Sequence, residues 1–228
     1  VHYDDKIHAV NTFTNLLKPL EIKPKIQDKL ITLKYSKKDK RRVDKFFNKL
    51  PKRRLIIGMT VTSAGTATWR RWSPRKFAKL ADKLIKKHNA IIIIPDTSNQ
   101  HNYIEQIINQ MEQKESVYNF AGTFTLKQLF RLTEKCNIYI SNDTGPLHIA
   151  AAQGTNTIGL FGPNTPVRYA PYGKNNLSLY KSKEAPVINP HLGIFKRPSQ
   201  NWMAKITVNE VFRNAEKLIY KQKRRTKR

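Results

Sequence analysis

The residues that follow a short apolar segment are of the types that bind an anion. The segment NIYIS ends at Ser141, and the next residues read NDTGP, Asn142 to Pro146. Asn, Asp and Thr side chains cap helices, and proline suits a first helical turn because its missing N–H would be unpaired there. A helix N-terminus presents free amides and a partial positive charge, and Gly145 lets a ligand approach the backbone. The motif predicts a diphosphate site, although DTGP alone is more typical of an ordinary capped loop.

Short apolar segments alternate with helical segments around this motif. The predicted strands are LIIGMTV, AIIIIP, VYNFAG, NIYIS and TIGLFG, and the helices between them are PRKFAKLADKLIKKH, NYIEQIINQM, LKQLFRLTEK and PLHIAAAQG. This alternation is typical of a parallel sheet covered by helices on both faces. We therefore predict an α/β fold in which the loops after the strands line a ligand crevice at their carboxyl ends.

The flanking segments are less regular. Apolar spacing predicts a short helix from His8 to Leu20 and a terminal helix from Val208 to about Gln222, within the usual boundary error. A strand is predicted from Ile31 to Tyr35. The segment from Lys34 to Arg54 holds eleven basic and two acidic residues and has the spacing of a basic amphipathic helix. A looser stretch runs from Gly162 to Trp202.

The composition indicates a folded, strongly basic protein. The chain has 228 residues, 39% of them hydrophobic, and a formal net charge of +27. Such a charge favours an anionic partner, and nucleic acid, an anionic membrane surface and a phosphorylated substrate all suit it. The single cysteine, Cys136, excludes a disulfide framework within one chain. We find no apolar run long enough for a spanning helix and no signal peptide, so we expect a cytoplasmic protein.

Longer segments resemble one known family. NDTGPLHIAAAQG followed by LFGPNTPVRYAPYG resembles the signature of the heptosyltransferases of glycosyltransferase family 9, which act on lipopolysaccharide core. SAGTATWRRWSPRKFAKLADKL, NFAGTFTLKQLFRL and WMAKITVNEVF resemble further segments of that family, so the likeness runs from about Ile57 to Phe212. It implies a GT-B enzyme with two Rossmann-like domains, of which this chain is the C-terminal, donor-binding half.

The resemblance also implies a domain division. Residues 1–50 would be a linker and helical remnant from the acceptor half, residues 51–222 the Rossmann-like domain that binds the nucleotide-sugar, and residues 223–228 a basic tail.

The resemblance assigns the donor contacts residue by residue. Thr66 and Arg70 match the positions that contact the donor phosphates, and Arg is a sound phosphate ligand where the family often has Lys. Phe124 matches the position where the backbone meets the nucleobase. Donor contacts on the turn and helix after the fourth predicted strand are Asp143, Thr144, Gly145 and His148.

Two of these side chains allow other roles. His148 lies one turn into the predicted helix, within reach of a diphosphate or sugar, although a lone histidine is more often a satisfied polar residue under a loop. Asp143 has the wrong charge for phosphate, so it would bind sugar hydroxyls or cap the helix.

The chain departs from the family pattern at the expected ribose site. The family has a Gly-rich loop and a Glu after the second strand, whereas this sequence reads PDTSNQHNYIEQ from Pro95. Gln100 or His101 lies nearest the ribose-binding position, and neither is a carboxylate. The cysteines common near the family's C-terminal loop are also absent from this sequence.

The implied reaction is inverting transfer of a sugar from a nucleotide diphosphate donor, ADP-heptose, to a lipopolysaccharide core acceptor. No Asp-x-Asp pair is present to hold a divalent ion, so we expect metal independence and no cofactor. No catalytic residue is assigned in this chain, because the family's general base belongs to the acceptor half. We therefore expect the chain alone to bind donor and to transfer sugar poorly or not at all.

The expected partners are the nucleotide-sugar, the lipopolysaccharide core acceptor, the anionic inner-membrane surface at its cytoplasmic face, where the chain would be peripheral, and a separate acceptor-domain chain. No specific nucleic acid is expected, because no DNA or RNA recognition motif occurs. Two alternatives stay open at this point: a nucleotide-binding remnant without catalysis, and a basic nucleic-acid-binding module.

Overall fold

The computed structural model describes residues 6–25, 27–182, 188–189, 194–195 and 199–226. Within these ranges the α-helices are α1 (Ala9–Asn15), α2 (Lys37–Phe47), α3 (Pro74–His88), α4 (His101–Ile108), α5 (Leu126–Lys135), α6 (Gly145–Ala152), α7 (Pro166–Tyr169) and α8 (Val208–Thr226). The strands are β1 (Leu55–Thr60), β2 (Ala90–Ile94), β3 (Val117–Asn119), β4 (Ile138–Asn142), β5 (Asn156–Phe161), β6 (Asn176–Tyr180), β7 (Ile188–Asn189) and β8 (Ile194–Phe195). Short 3₁₀ helices span Lys18–Leu20, Gly65–Arg70, Ser98–Gln100, Lys114–Ser116 and Trp202–Lys205.

The first six strands form one parallel sheet in the order β3-β2-β1-β4-β5-β6. This order confirms the predicted α/β fold with a Rossmann-like sheet. The chain moves outward from β1 to β3 and then crosses back to β4 on the other side of β1. The boundary between β1 and β4 is therefore the topological switch point, where open α/β sheets bind ligands. The remaining strands, β7 and β8, form a small antiparallel pair.

Helices cover both faces of the sheet, and the strands supply apolar side chains to each face in turn. In β2, Ile92 and Ile94 pack with residues of α3, α4 and α8, whereas Ile91 and Ile93 pack with residues of α2, α5 and α6. This follows from the alternation of side chains along a strand. A strand buried on both faces reads as a continuous apolar run, which is why AIIII was recognisable in the sequence.

Gly58 leaves room for a buried tyrosine on the neighbouring strand. Gly58 of β1 is in register with Tyr139 of β4, and a Cβ at position 58 would lie 2.3 Å from the Tyr139 ring. The Tyr139 side chain is fully buried, and its hydroxyl shares a 2.8 Å hydrogen bond with Thr60 Oγ1. Burial raises the pKa of Tyr139 far above its ordinary value. The glycine therefore serves packing between β1 and β4.

The basic helix α2 packs on the sheet through its apolar side. Val43 and Phe47 are buried among residues of α5 and α6, and Arg131 of α5 donates a 2.9 Å hydrogen bond to Asp44. A capping box at Ser36 fixes the start of the helix. The division at residue 50 remains a prediction, but α2 shares its apolar core with the domain predicted to begin after it.

Two sequence expectations differ from the structure. The strand predicted from Ile31 to Tyr35 is wrong: these residues form no strand, and the Leu33 amide donates instead to the Gln153 side chain at 2.7 Å. The stretch from Gly162 to Trp202, predicted to be loose, contains β6, which pairs with β5 along its full length. In the described part of the chain, no helix is both long and apolar enough to span a lipid bilayer.

Candidate functional site

A cleft of about 780 Å³ opens at the carboxyl ends of β1 to β4, beside the topological switch point. The loops after these strands form its walls. The predicted site residues that line it are Arg70, Gln100, Phe124, Asp143, Thr144 and Gly145. Thr66 lies in the 3₁₀ helix between Gly65 and Arg70.

Buried Asn142, the last residue of β4, joins two walls of the cleft. Its side chain is fully buried, its Oδ1 accepts from the Trp72 amide at 2.9 Å, and its Nδ2 donates to the Thr62 carbonyl at 3.0 Å. Thr62 and Trp72 begin and end the loop that carries Arg70. Asn142 therefore fixes that loop against the turn that leads into α6.

The N-terminus of α6 presents unpaired amides to the cleft. Thr144 is the N-cap residue in extended conformation, and its hydroxyl lies 3.1 Å from Ser141 Oγ without capping an amide. Within the described residues, the amides of Thr144 and Gly145 donate no hydrogen bond, and Pro146 has no N–H. A Cβ at Gly145 would meet no atom within 4 Å. The glycine is not required by packing, so the open space beside it is available to a ligand.

Asp143 is a buried carboxylate that faces a cation. Asn164 Nδ2 donates to its Oδ2 at 2.5 Å, and Arg70 Nη1 lies 3.8 Å from the same oxygen. Burial raises the pKa of Asp143, and the nearby Arg70 guanidinium opposes that shift. Arg70 Nε is buried and has no hydrogen-bond partner among the described residues. Arg70 thus has donor capacity left for an anion.

His148 lies in α6, close enough to Asp143 for their charges to interact. It is half-buried, and the residues found to line the cleft in the described structure do not include it. Burial lowers its pKa, the Asp143 carboxylate opposes that shift, and His8 adds to it. His148 is therefore mainly neutral near pH 7. Of the donor ligands predicted at α6, Thr144 and Gly145 line the cleft, whereas His148 is not among its lining residues in the described structure.

The opposite end of the cleft is aromatic. Phe120 and Phe124 line it with their ring centroids 5.2 Å apart, edge to face. Phe46 of α2 packs behind both, 5.1 Å from Phe124 and 5.8 Å from Phe120. Edge-to-face contacts of this kind hold aromatic rings in fixed orientations. This end of the cleft suits a flat ring.

A further carboxylate, which local sequence patterns do not reveal, follows β2, the strand that lies between β3 and β1 in the sheet. Asp96, two residues after β2, lines the cleft together with Gln100. The Thr62 hydroxyl donates to its Oδ2, and the Thr97 amide donates to its Oδ1 at 2.8 Å. The available signal was an acidic residue close to the end of a buried strand, the edge where open sheets bind ligands.

Comparison with known proteins places the chain in a family. The profile of glycosyltransferase family 9 (heptosyltransferase) matches residues 1–189. Lipooligosaccharide heptosyltransferase 2 of Campylobacter jejuni is 31% identical over 126 residues, which is 54% of this chain and 39% of that protein. The chain therefore spans well under half the length of this relative.

Solved structures show the same fold. The family 9 glycosyltransferase of Veillonella parvula matches with a TM-score of 0.80 and 24% identity over 97% of this chain and 63% of that one. The Escherichia coli heptosyltransferase WaaC, solved with ADP-2-deoxy-2-fluoro heptose, matches with a TM-score of 0.60 and 21% identity over 95% of this chain and 58% of that one. The match to the family profile across most of the sequence means that this chain belongs to glycosyltransferase family 9, the heptosyltransferase family.

Proposed function

We propose that this chain is the donor-binding half of a glycosyltransferase and holds a nucleotide-sugar in the cleft beside the β1–β4 switch point. The observation that carries the proposal is the convergence of Arg70 with the unpaired amides of Thr144 and Gly145 at one end of that cleft. A helix N-terminus and a guanidinium together form a site for a diphosphate. Two further features of the cleft support the proposal: the aromatic rings of Phe120 and Phe124 suit a base, and the Asp96 carboxylate can accept hydrogen bonds from a ligand.

The same groups would assist sugar transfer. When the bond between the sugar and the diphosphate breaks, negative charge develops on the leaving nucleotide. Arg70 and the α6 amides are held in place before the reaction, so they would stabilise that charge without reorganisation. The buried Asp143 carboxylate contacts Asn164 and Arg70, which fix its position. It is suited to accept hydrogen bonds from the hydroxyls of the donor sugar. Thr66 and His148 remain candidates for donor contact.

The proposed donor is ADP-heptose. Support comes from the WaaC structures, which were solved with ADP and with ADP-2-deoxy-2-fluoro heptose, and from the names of the curated heptosyltransferases. In this chain the base would lie against Phe120 and the backbone at Phe124. The acceptor would be a lipopolysaccharide core, and the complete enzyme would transfer sugar with inversion.

The acceptor and the general base would be supplied by the other half of the enzyme. General-base catalysis needs a side chain within hydrogen-bond reach of the acceptor hydroxyl. No residue of this cleft is proposed for that role, so the chain alone should bind nucleotide and transfer little sugar. Because cationic and amide groups would meet the diphosphate, binding should not require a divalent ion, and EDTA should leave nucleotide affinity unchanged.

Calorimetric titration of the chain with ADP, UDP and GDP tests the proposal. One nucleotide should bind with saturation, and Arg70→Ala should weaken it at least about tenfold, the cost of losing hydrogen bonds to a charged group. Arg41→Ala, which removes an exposed cation of α2, is the matched control and should bind as the wild type does. Equal affinities for the wild type and Arg70→Ala would rule out this diphosphate site. Preferential, salt-sensitive binding of arbitrary DNA would favour a nucleic-acid-binding module instead.

A further inference from the structure

The charge of the cleft does not match the ligand proposed for it. The chain carries a formal net charge of +27, yet the residues that line the cleft in the described structure include one cation, Arg70, and two carboxylates, Asp96 and Asp143. With both carboxylates ionised, the lining has more negative than positive charge before any ligand enters. A diphosphate would add further negative charge. The cleft therefore needs a compensating positive charge when a nucleotide binds.

Asp143 is the carboxylate that a diphosphate at α6 would disturb most. It directly precedes Thr144 and Gly145, whose amides are the proposed anion ligands, and its Oδ2 lies 3.8 Å from Arg70 Nη1. A diphosphate held by these groups would lie beside the carboxylate and compete with it for the guanidinium. Asp143 is only 7% exposed, so water screens the repulsion poorly. Asp96 belongs to a different loop, two residues after β2.

The two carboxylate oxygens of Asp143 have different surroundings. Oδ2 accepts a 2.5 Å hydrogen bond from Asn164 Nδ2, whereas Oδ1 accepts none from the residues that the structure describes. Burial raises the pKa of Asp143, and the charge of Arg70 and the hydrogen bond from Asn164 oppose that shift. His148, which faces it from α6, also opposes the shift. A bound anion would raise the pKa further, because a nearby negative charge disfavours ionisation. Oδ1 is the position available to a proton.

We propose that Asp143 takes up a proton from solvent when the donor diphosphate binds, and that the neutral acid donates a hydrogen bond from Oδ1 to a phosphate oxygen. Protonation ends the ion pair with Arg70 and leaves the guanidinium to the phosphates, including the Nε that has no partner in the described structure. Oδ2 stays an acceptor for Asn164 and for a sugar hydroxyl. Apolar surroundings can keep a carboxylic acid neutral so that it donates in this way. The inference rests on the proposed donor function and deepens it.

The test measures affinity against pH for the β-methyl ester of ADP. The terminal phosphate of ADP itself titrates, at a pKa of about 6 for a phosphate monoester. The phosphates of the methyl ester keep a constant charge from pH 5.5 to 8.5, so any pH dependence arises in the protein. Proton uptake on binding makes affinity rise as the pH falls. The wild type should therefore bind at least about tenfold more tightly at pH 5.5 than at pH 8.5, which corresponds to one proton over about one pH unit. Calorimetry in two buffers of different ionisation enthalpy counts the protons directly.

Two variants assign the proton. Asp143→Asn imitates the neutral acid in shape and charge, so its affinity should not change with pH and at pH 8.5 should equal or exceed that of the wild type. His148→Gln is the matched control, because His148 interacts with Asp143 and is the other group in a position to bind the proton. This variant should keep the full pH dependence, whatever its effect on affinity.

The outcomes separate this inference from the proposed function. Saturable binding by the wild type with the same affinity at pH 5.5 and 8.5 would overturn proton uptake and leave the donor site standing, a result that needs no variant to fold. Loss of the pH dependence in His148→Gln would assign the proton to His148, and weaker binding by Asp143→Asn at every pH would show a structural role of Asp143. Either result would also overturn the inference. Failure of the wild type to bind any nucleoside diphosphate would overturn both proposals.

Discussion

Two glycines, Gly58 and Gly145, have opposite surroundings in this molecule. A side chain at Gly58 would collide with the Tyr139 ring, whereas a side chain at Gly145 would enter open space beside the α6 amides. The first glycine therefore serves packing, and the second is free to serve a ligand. Residue type alone does not distinguish the two roles, but the surroundings of each Cα do.

This contrast predicts opposite phenotypes for two alanine variants. Gly58→Ala should lower the free energy of unfolding by about 1 to 3 kcal/mol, because overpacking forces the buried ring to move. Gly145→Ala should change that free energy by less than about 0.5 kcal/mol. Its nucleotide affinity should fall about tenfold, since the added methyl group keeps phosphate from the amides. Urea unfolding and calorimetry measure the two effects, and normal nucleotide binding by Gly145→Ala would contradict the proposed phosphate position.

The neutral state of His148 predicts a specific pH dependence. Burial lowers its folded-state pKa below the ordinary value of 6.5. As the pH falls through 6.5, the unfolded chain binds a proton that the folded chain does not, so the free energy of unfolding decreases. His148→Gln removes this contribution and should show a smaller decrease between pH 7.5 and 5.5 in urea unfolding. An unchanged or steeper decrease would mean that His148 is not buried in its neutral form.

At the scale of elements, α2 has two distinct sides. Its apolar side belongs to the core shared with α5 and α6, and its Phe46 supports the aromatic end of the cleft. Its other side exposes lysines and arginines. The amphipathic pattern was visible in the sequence, but the partner of the apolar side was not, because it comes from elements far along the chain.

The packing of α2 predicts that it is required for stability. Phe47→Ala should lower the free energy of unfolding by about 3 kcal/mol, as expected when a buried aromatic side chain is removed. Lys49→Ala, at an exposed position nearby, should cost less than about 0.5 kcal/mol. Urea unfolding of both variants provides the comparison. If Phe47→Ala is as stable as Lys49→Ala, α2 is an appended linker, as the division at residue 50 implies.

The exposed side of α2 is the candidate contact with an anionic membrane surface. Lys38, Arg41 and Lys45 lie at helical spacing on one exposed stripe. Each cation near an anionic surface contributes about 1 kcal/mol, so replacing all three by Gln should weaken co-sedimentation with phosphatidylglycerol vesicles roughly 100-fold.

The matched control carries the same charge change on the other face of the sheet. Arg213, Lys217 and Lys221 of α8 are exposed, and their replacement by Gln should have a much smaller effect on vesicle binding. Equal losses in the two triple variants would indicate attraction by overall charge and would remove α2 as a specific membrane contact.

At the scale of the whole molecule, local sequence signals located most of the sheet and the helices that cover it. Helices α3 and α5 begin and end where the sequence predicts, because Pro74 suits a first turn and a capping box at Thr125 starts α5. The edge strand β6 was missed because its half-buried NLSLY lacks a continuous apolar run. Its pairing with β5 is a tertiary feature.

The residues of the candidate site also fall into two groups: some are recognisable from local sequence, and others depend on the tertiary fold. The α6 turn was recognisable because its capping residues, glycine and proline are adjacent in sequence. Asp96 was overlooked as a cleft residue because its contact with Thr62 forms only in the folded sheet, whose strand order brings these two residues together from separate loops. Whether His148 lines the cleft also depends on how α6 is oriented on the sheet, which helical spacing does not determine.

The most direct test of the donor site is a crystal structure of this chain grown with ADP. We expect density for the diphosphate at the Thr144 and Gly145 amides and beside Arg70, with the adenine near Phe120 and Phe124. ADP bound at another surface, or an empty cleft at a concentration that saturates binding in solution, would contradict this expectation.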